Sequence, residues 1–263
     1  KSSLIYNYGI GGLWTNNTDE TFIIKAPKFW KWDSETRQRG VIIEENLRRL
    51  LGVKNILFPP GAKDKQIKLI HGTLAIGRFP GWHRCKGWRR RDDGKSEPCG
   101  SMIQLGQEDN IPLCTDRNCT GSNPRTPSRS FAPVRFMVIC DKGHLDEFPF
   151  QFWVHQREGC DDHKLRYVTT PRSGLSGILI ECETCSNPTN KVRRPMSGAL
   201  TPDTYEKMGI KCTGKSPWLD ENTTLDKCSC KTLTGVQKSS SNLLFPIIRN
   251  AIFCPSYDVI DVW

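Results

Sequence analysis

The sequence predicts an α+β protein, with short strands and helices joined by irregular loops that zinc staples in place. Three observations lead there. Apolar periodicity is local, with strand-like alternation in short runs and one clear helical face. Hydrophobic residues make up 37% of the 263, which allows a core but not a large one. Twelve cysteines, several closely spaced, are many for an intracellular protein and too few for a disulfide mini-scaffold. The chain is basic, with 38 Lys+Arg against 28 Asp+Glu and a formal net charge of +10. Eight Trp and eleven Phe exclude global disorder. No uncharged apolar run approaches the roughly 18–20 residues of a membrane span, so a soluble protein without membrane contact is expected.

Near the start, weak alternation predicts strands at Leu4–Tyr8 and Thr21–Lys25. Val41–Leu51 predicts a helix: Ile43, Leu47, Leu50 and Leu51 share a face, and Gly52 stops it. Glu44 with Arg48 and Glu45 with Arg49 are i,i+4 pairs in the favourable order. From Cys85 to Ser130 the chain is polar and rich in Gly, Pro and Ser, which predicts loop. Val134–Cys140 and Gly177–Cys182 return as strands, and Pro149 suits the first turn of a short helix after Phe148. This divides the chain into an α+β region (1–84), a zinc-clipped basic loop region (85–131) and a zinc-binding α+β region (132–263).

Cysteine spacing separates metal from disulfides. Cys182-x2-Cys185 sets two thiolates on a tight turn, able to reach one tetrahedral ion at about 2.3 Å. Cys212, Cys228 and Cys230 can complete that shell. Cys85, Cys99, Cys114 and Cys119 form a second cluster, where a loop with little apolar content needs a clip. A third set, Cys140, His144, His155 and Cys160, would make a two-Cys, two-His shell. Two zinc ions are expected, three if that last set forms. Each four-thiolate site carries −2, so two of them lower +10 to about +6. The alternatives are buried free cysteines or disulfides, and three N-x-T sequons at Asn16, Asn118 and Asn222 keep an exported form in view.

Gly209-x4-Gly214-Lys215-Ser216 has the letters of a phosphate-binding loop. That chemistry needs a buried strand entering the glycines and a helix leaving them. Here Thr201–Met208 reads as a polar helix, Pro217 follows at once, and Cys212 suits a metal better. Asp146 and Glu147 beside His144 could be an acid–base pair, although adjacent carboxylates after a turn are more often caps or solvated charges. No catalytic residue is assigned, and an enzyme is not expected. Basic and aromatic residues interleave at Lys28-Phe-Trp-Lys-Trp32 and more densely at Arg84, Lys86, Trp88, Arg89, Arg90 and Arg91. Guanidinium groups neutralise phosphates and an aromatic face stacks on an unpaired base, so Lys86, Trp88 and Arg89–Arg91 are the candidate nucleic-acid contacts.

Several blocks read together resemble one family. They are Tyr8-Gly-Ile-Gly-Gly, Phe79-Pro-Gly-Trp-His-Arg-Cys85, Cys140-Asp-Lys-Gly-His-Leu-Asp-Glu-Phe-Pro149 and Trp153-Val-His155. Gly177-Ile-Leu-Ile-Glu-Cys-Glu-Thr-Cys185, Cys212-Thr-Gly-Lys-Ser-Pro-Trp218 and Val236-Gln-Lys-Ser-Ser-Ser-Asn-Leu-Leu-Phe-Pro246 follow. In that order they resemble the DrmB family, the helicase-associated component of the DISARM anti-phage system. The resemblance implies a non-catalytic accessory subunit in a prokaryotic cytoplasm, beside a DrmA-like helicase and DNA. It also implies that the Gly209–Ser216 block is a zinc loop. Family members carry a Cys-x2-Cys after the Phe-Pro-x-Trp block, whereas Cys85 is followed here by Trp88, so Cys99 would stand in. They also continue beyond the Leu-Phe-Pro block, so this sequence reads as a fragment or a shortened relative. Ile247, Ile248, Ile252 and Phe253 would then need a covering subunit or domain.

Overall fold

Alternation in Phe136-Met-Val-Ile-Cys140 sends successive side chains to opposite faces, and both faces are covered. Phe136, Val138 and Cys140 enter one apolar cluster, Met137 a second. The computed structural model describes residues 9–32, 40–60, 72–122, 131–156, 160, 164–187, 189–219, 228–238, 240 and 243. Their architecture is α+β as expected: many short antiparallel strands in small sheets, with few helices. The predicted strand Leu4–Tyr8 and the apolar residues 247–253 lie outside the described residues.

The chain divides into two compact units that are not consecutive in sequence. The smaller takes residues 1–9, 26–75 and 246–263, and the larger takes 10–25 and 76–245. In the smaller unit the helix runs Glu45–Leu51, shorter than predicted. Val41–Ile42 is instead a strand paired with Ile56–Leu57. The cause is capping: the Glu44 side chain accepts from Asn46 N, and Gly52 ends the helix at φ 64°. Glu45, rather than Glu44, therefore holds both arginines, Arg48 at 2.6 Å and Arg49 at 3.1 Å. The predicted apolar face is not a core face among the described residues, since Ile43 is 87% exposed and Leu50 60%.

In the larger unit Thr21–Ile24 lies between Leu13–Thr15 and Ile76–Arg78. Trp82–Cys85 lies between Met102–Gln104 and Phe131–Pro133, a sheet that runs across both expected boundaries, 84/85 and 131/132. The supposed loop 85–130 thus holds three strands, the third pair being the hairpin Trp88–Arg90 with Ser96–Pro98. Each strand is three residues long, too short for alternation to register.

Phe136–Cys140 pairs with Leu145–Glu147 and Leu233–Gln237, and Ile178–Cys182 with Leu165–Thr169 and Arg193–Pro195. The helix Phe150–His155 follows Pro149 as predicted. It buries Phe150, Trp153 and Val154 in a core shared with Phe136, Phe148 and Tyr205. Phe148 is the hub of that core, with ring centroids 4.6 Å from Phe150 and 5.5 Å from Trp153. Such tilted and edge-on pairs contribute about 0.5–1.5 kcal/mol each beyond their buried area. A helix, Pro202–Lys207, precedes Gly209, so the strand that a phosphate-binding loop requires is missing there.

Candidate metal centres

Cysteines cap the ends of the buried strands. Cys85, Cys140 and Cys182 each close one, carried there by an apolar core that fixes the strand's depth. Around them, among the described residues, the fold gathers three groups of four donors, each with all its donor atoms within 4.8 Å of one another.

Cys85, Cys99, Cys114 and Cys119 are all buried. Their sulfurs approach to 3.6 Å (Cys85–Cys119) and 3.8 Å (Cys99–Cys114). A tetrahedron with 2.3 Å bonds has edges of about 3.8 Å, so the spacing fits one ion. Two glycines complete the shell. The amide of Gly87 donates to Cys85 Sγ and that of Gly121 to Cys119 Sγ, each at 3.3 Å. A Cβ on Gly87 would lie 2.6 Å from Cys119 Sγ, and one on Gly121 2.8 Å from Cys85 Sγ. Four thiols this close do not ionise alike. Hydrogen bonds from Cys114 and then Cys85 hold the Cys99 thiol below the usual thiol range, against its burial. The Cys85 thiol is pushed far up, first by its hydrogen bond with Cys114. A bound cation would displace the remaining protons.

Cys140, Cys212, Cys228 and Cys230 form the second group. His144 joins it, with Nδ1 3.4 Å from Cys140 Sγ, 3.2 Å from Cys228 Sγ and 3.7 Å from Cys212 Sγ. Five donors thus surround a position that a tetrahedral ion would fill with four. The Gly214 amide donates to Cys212 Sγ at 3.4 Å.

His155, Cys160, Cys182 and Cys185 form the third. His155 Nδ1 donates to the Gln151 carbonyl at 2.8 Å, one helical turn back, so the neutral ring keeps its lone pair on Nε2. Cys160 and Cys182 sulfurs are 3.6 Å apart.

This partition corrects the expected one. Cys182 and Cys185 do not join Cys212, Cys228 and Cys230. The set Cys140, His144, His155 and Cys160 does not form either, because its two halves belong to different groups. Linear spacing cannot separate these pairings, since each strand end meets a distant knuckle only after the sheets have formed. One signal was available: Cys85-Lys-Gly87, Cys119-Thr-Gly121 and Cys212-Thr-Gly214 share a Cys-x-Gly pattern, whose glycine amide turns back onto the sulfur.

A family model described as a domain of unknown function, DUF8724, matches residues 1–245. The chain belongs to that family. This DUF8724 chain is also similar to the DISARM protein DrmB of Bacillus paralicheniformis, 27% identical over 246 residues. The match covers 92% of this chain and 37% of the relative, so the chain spans well under half of that protein's length. The resemblance read from the sequence blocks is met.

The expected nucleic-acid contacts divide between the two faces of their hairpin in the DUF8724 chain. Lys86, Trp88, Arg90 and Arg91 are exposed, Trp88 at 54%. Arg89 points the other way and is spent on carboxylates, with Nε 2.8 Å from Glu97 and Nη1 2.6 Å from Glu183. Arg166 also reaches Glu97, at 2.8 Å, and donates to the Cys99 carbonyl at 2.7 Å. Because Glu183 lies between Cys182 and Cys185, this network ties the first cysteine group to the third. The Glu97 carboxyl is held low: burial opposes this, but the hydrogen bond from Arg89 and the charges of Arg166 and Arg89 prevail.

Asp146 is held by Lys215 Nζ at 3.4 Å and by the Thr213 hydroxyl at 2.6 Å. Glu147 differs. Its Oε1 accepts from the Gly81 amide while its Oε2 is sealed from solvent. Burial, reinforced by Asp146, pushes its pKa up to about 7. No described helix is long and apolar enough to cross a membrane.

Proposed function

We propose that this chain is a zinc-stapled, DNA-contacting accessory unit of a DISARM-type defence complex in the prokaryotic cytoplasm. Its likeness to DrmB over 92% of its length is the observation that carries the defence role. Zinc is the metal that suits the donors, because clustered thiolates with an occasional imidazole at tetrahedral spacing select a soft, redox-silent ion. The three groups hold irregular backbone rigid, the first of them where the apolar core is thin. The chain itself is non-catalytic in this reading, and a DrmA-like helicase supplies the ATP chemistry.

The exposed edge of the hairpin supports DNA contact, since Lys86, Arg90 and Arg91 flank the exposed Trp88 indole. Replacing Arg90 and Arg91 by Ala should weaken DNA binding and flatten its salt dependence while leaving bound metal unchanged by native mass spectrometry. Unchanged affinity and salt slope would remove the hairpin from the interface. One observation favours a second reading, a scaffold that touches only protein: Ile43, Leu50 and Leu51 are exposed on the smaller unit. Photo-crosslinking in the assembled complex separates the two, because a scaffold gives no DNA adducts at the hairpin.

A further inference from the structure

Four cations line one groove of the larger unit: Arg84, Lys86, Arg135 and Lys238. The groove has a volume of about 290 Å³, and Tyr167 lies in its wall. Elsewhere three arginines of the larger unit are spent on carboxylates, Arg78 on Glu20 and Arg89 and Arg166 on Glu97, while Arg194 lies over the Trp153 ring. Here, among the described residues, none of the four cations has a carboxylate within 4.0 Å. Asp19 is the one acidic residue among the described lining.

The backbone forces like charges together. Phe136 pairs with Gln237, and the Lys238 amide donates to the Arg135 carbonyl at 2.9 Å, which carries the two basic side chains to neighbouring positions at the end of the ladder. Such a juxtaposition costs stability unless an anion offsets it. Burial first, and then Arg135, hold the Lys238 ammonium below the usual lysine range, opposed by Asp19 and Glu20. Arg84 lies over the Tyr167 ring with Cζ 5.1 Å from its centroid, so its guanidinium plane is pre-set before any ligand arrives.

From this juxtaposition we infer that the groove seats the phosphodiester backbone of a single nucleic-acid strand, with the Arg84–Tyr167 stack as a platform for an unpaired base. This rests on the DNA-contact reading and places the strand beyond the hairpin, with Lys86 common to both. A cationic groove of this size with an aromatic wall suits one strand, since a duplex is too wide to enter it.

The test uses fluorescence anisotropy of the full chain with a single-stranded oligodeoxynucleotide and its duplex, titrated in salt. In the Arg135→Ala/Lys238→Ala variant the slope of log K against log salt should fall by about 1.4, two contacts at roughly 0.7 each. At 0.1 M salt that is a loss of about 25-fold in affinity. Asp19→Asn should tighten binding; Asp19 sits at φ 66°, a conformation that asparagine tolerates well. This second variant decides the matter if the first loses its metal or its melting transition. An unchanged slope in the double variant, alongside a lowered one in Arg90→Ala/Arg91→Ala, overturns the groove and leaves DNA contact standing. No salt-dependent binding by the parent chain overturns both. Equal or tighter binding of the duplex overturns the single strand, and weaker or unchanged binding by Asp19→Asn overturns the role of the groove charges.

Discussion

Gly121→Ala tests whether the Cys85 group is a closed metal shell. The glycine sits inside the cluster: a Cβ there would lie 2.8 Å from Cys85 Sγ, 3.2 Å from Cys114 Cβ and 3.4 Å from Cys119 Sγ. Its amide donates to Cys119 Sγ and its carbonyl accepts from Cys114 N, so the backbone cannot retreat without breaking one of these. The added methyl must push a sulfur off its corner. Overpacking of this kind costs about 1–3 kcal/mol. In a unit of this size each kcal/mol shifts the melting temperature by about 2–4 °C, so a fall of roughly 2–12 °C is expected. Displacing a sulfur should also weaken metal binding by about 10–100-fold, the usual effect of disturbing groups that orient ligands. The assay is thermal denaturation with and without a competing chelator, beside Gly9→Ala, where nothing lies within 4 Å of the added Cβ. A variant that melts with the parent and resists chelator equally would refute a metal-bound shell at this cluster.

Glu147→Gln addresses pH. A carboxyl raised from 4.5 to about 7 contributes stability that is fully present below its unfolded value and is lost as pH rises through 7. The variant should match the parent near pH 4.5 and be more stable at pH 8, by an amount on the order of 3 kcal/mol; identical pH profiles in urea denaturation would refute this. Glu97 has the opposite sign. Its lowered pKa gives stability that is present above about 4.5 and lost on acidification, so Glu97→Gln should flatten the acid limb of the same profile. In the second metal group, the N–S distances of 3.2–3.7 Å match the edge of about 3.5 Å expected when an imidazole and a thiolate share zinc. Cys230→Ser should therefore keep its metal and His144→Ala lose it, as counted by native mass spectrometry; the reverse result would make Cys230 the fourth ligand.

The elements that could be read from the sequence are those whose pattern lies within one window. Phe136–Cys140 and Ile178–Cys182 announce themselves by apolar runs, and Phe150–His155 by the proline before it. Val41–Leu51 misled because periodicity ignores caps: Glu44 turns the chain into the helix four residues late. The strands Trp88–Arg90, Ser96–Pro98 and Met102–Gln104 carry no usable signal, since each is held by partners rather than by its own composition. Arg89 looked like its neighbours because charge in a sequence does not say which face it lies on, and a period of two separates it from Trp88 and Arg90.

The three cysteine groups do different work in the fold although their donors are alike. The first sits where few large apolar side chains are available, with Phe131 the main one buried among its thiols, so metal would replace a core there. The third closes Ile178–Cys182, a strand whose Ile180 is already fully buried, so metal would add precision to a position that packing has fixed. Between them run Arg89, Glu97, Arg166 and Glu183, an ion network that joins one knuckle to the other. Arg89 therefore helps fasten the basic hairpin to the rest of the protein, beside Arg166, which reaches Glu97 and the Pro98 carbonyl. Neutralising Arg89 would loosen the hairpin from its anchor as well as remove a charge, so a DNA-binding defect in an Arg89 variant would say little about phosphate contact. The exposed Arg90, and the groove pair Arg135 and Lys238, make no ion pair with that network among the described residues, whereas Arg91 still reaches Glu97 at 3.8 Å, so the first three separate contact from scaffolding most cleanly.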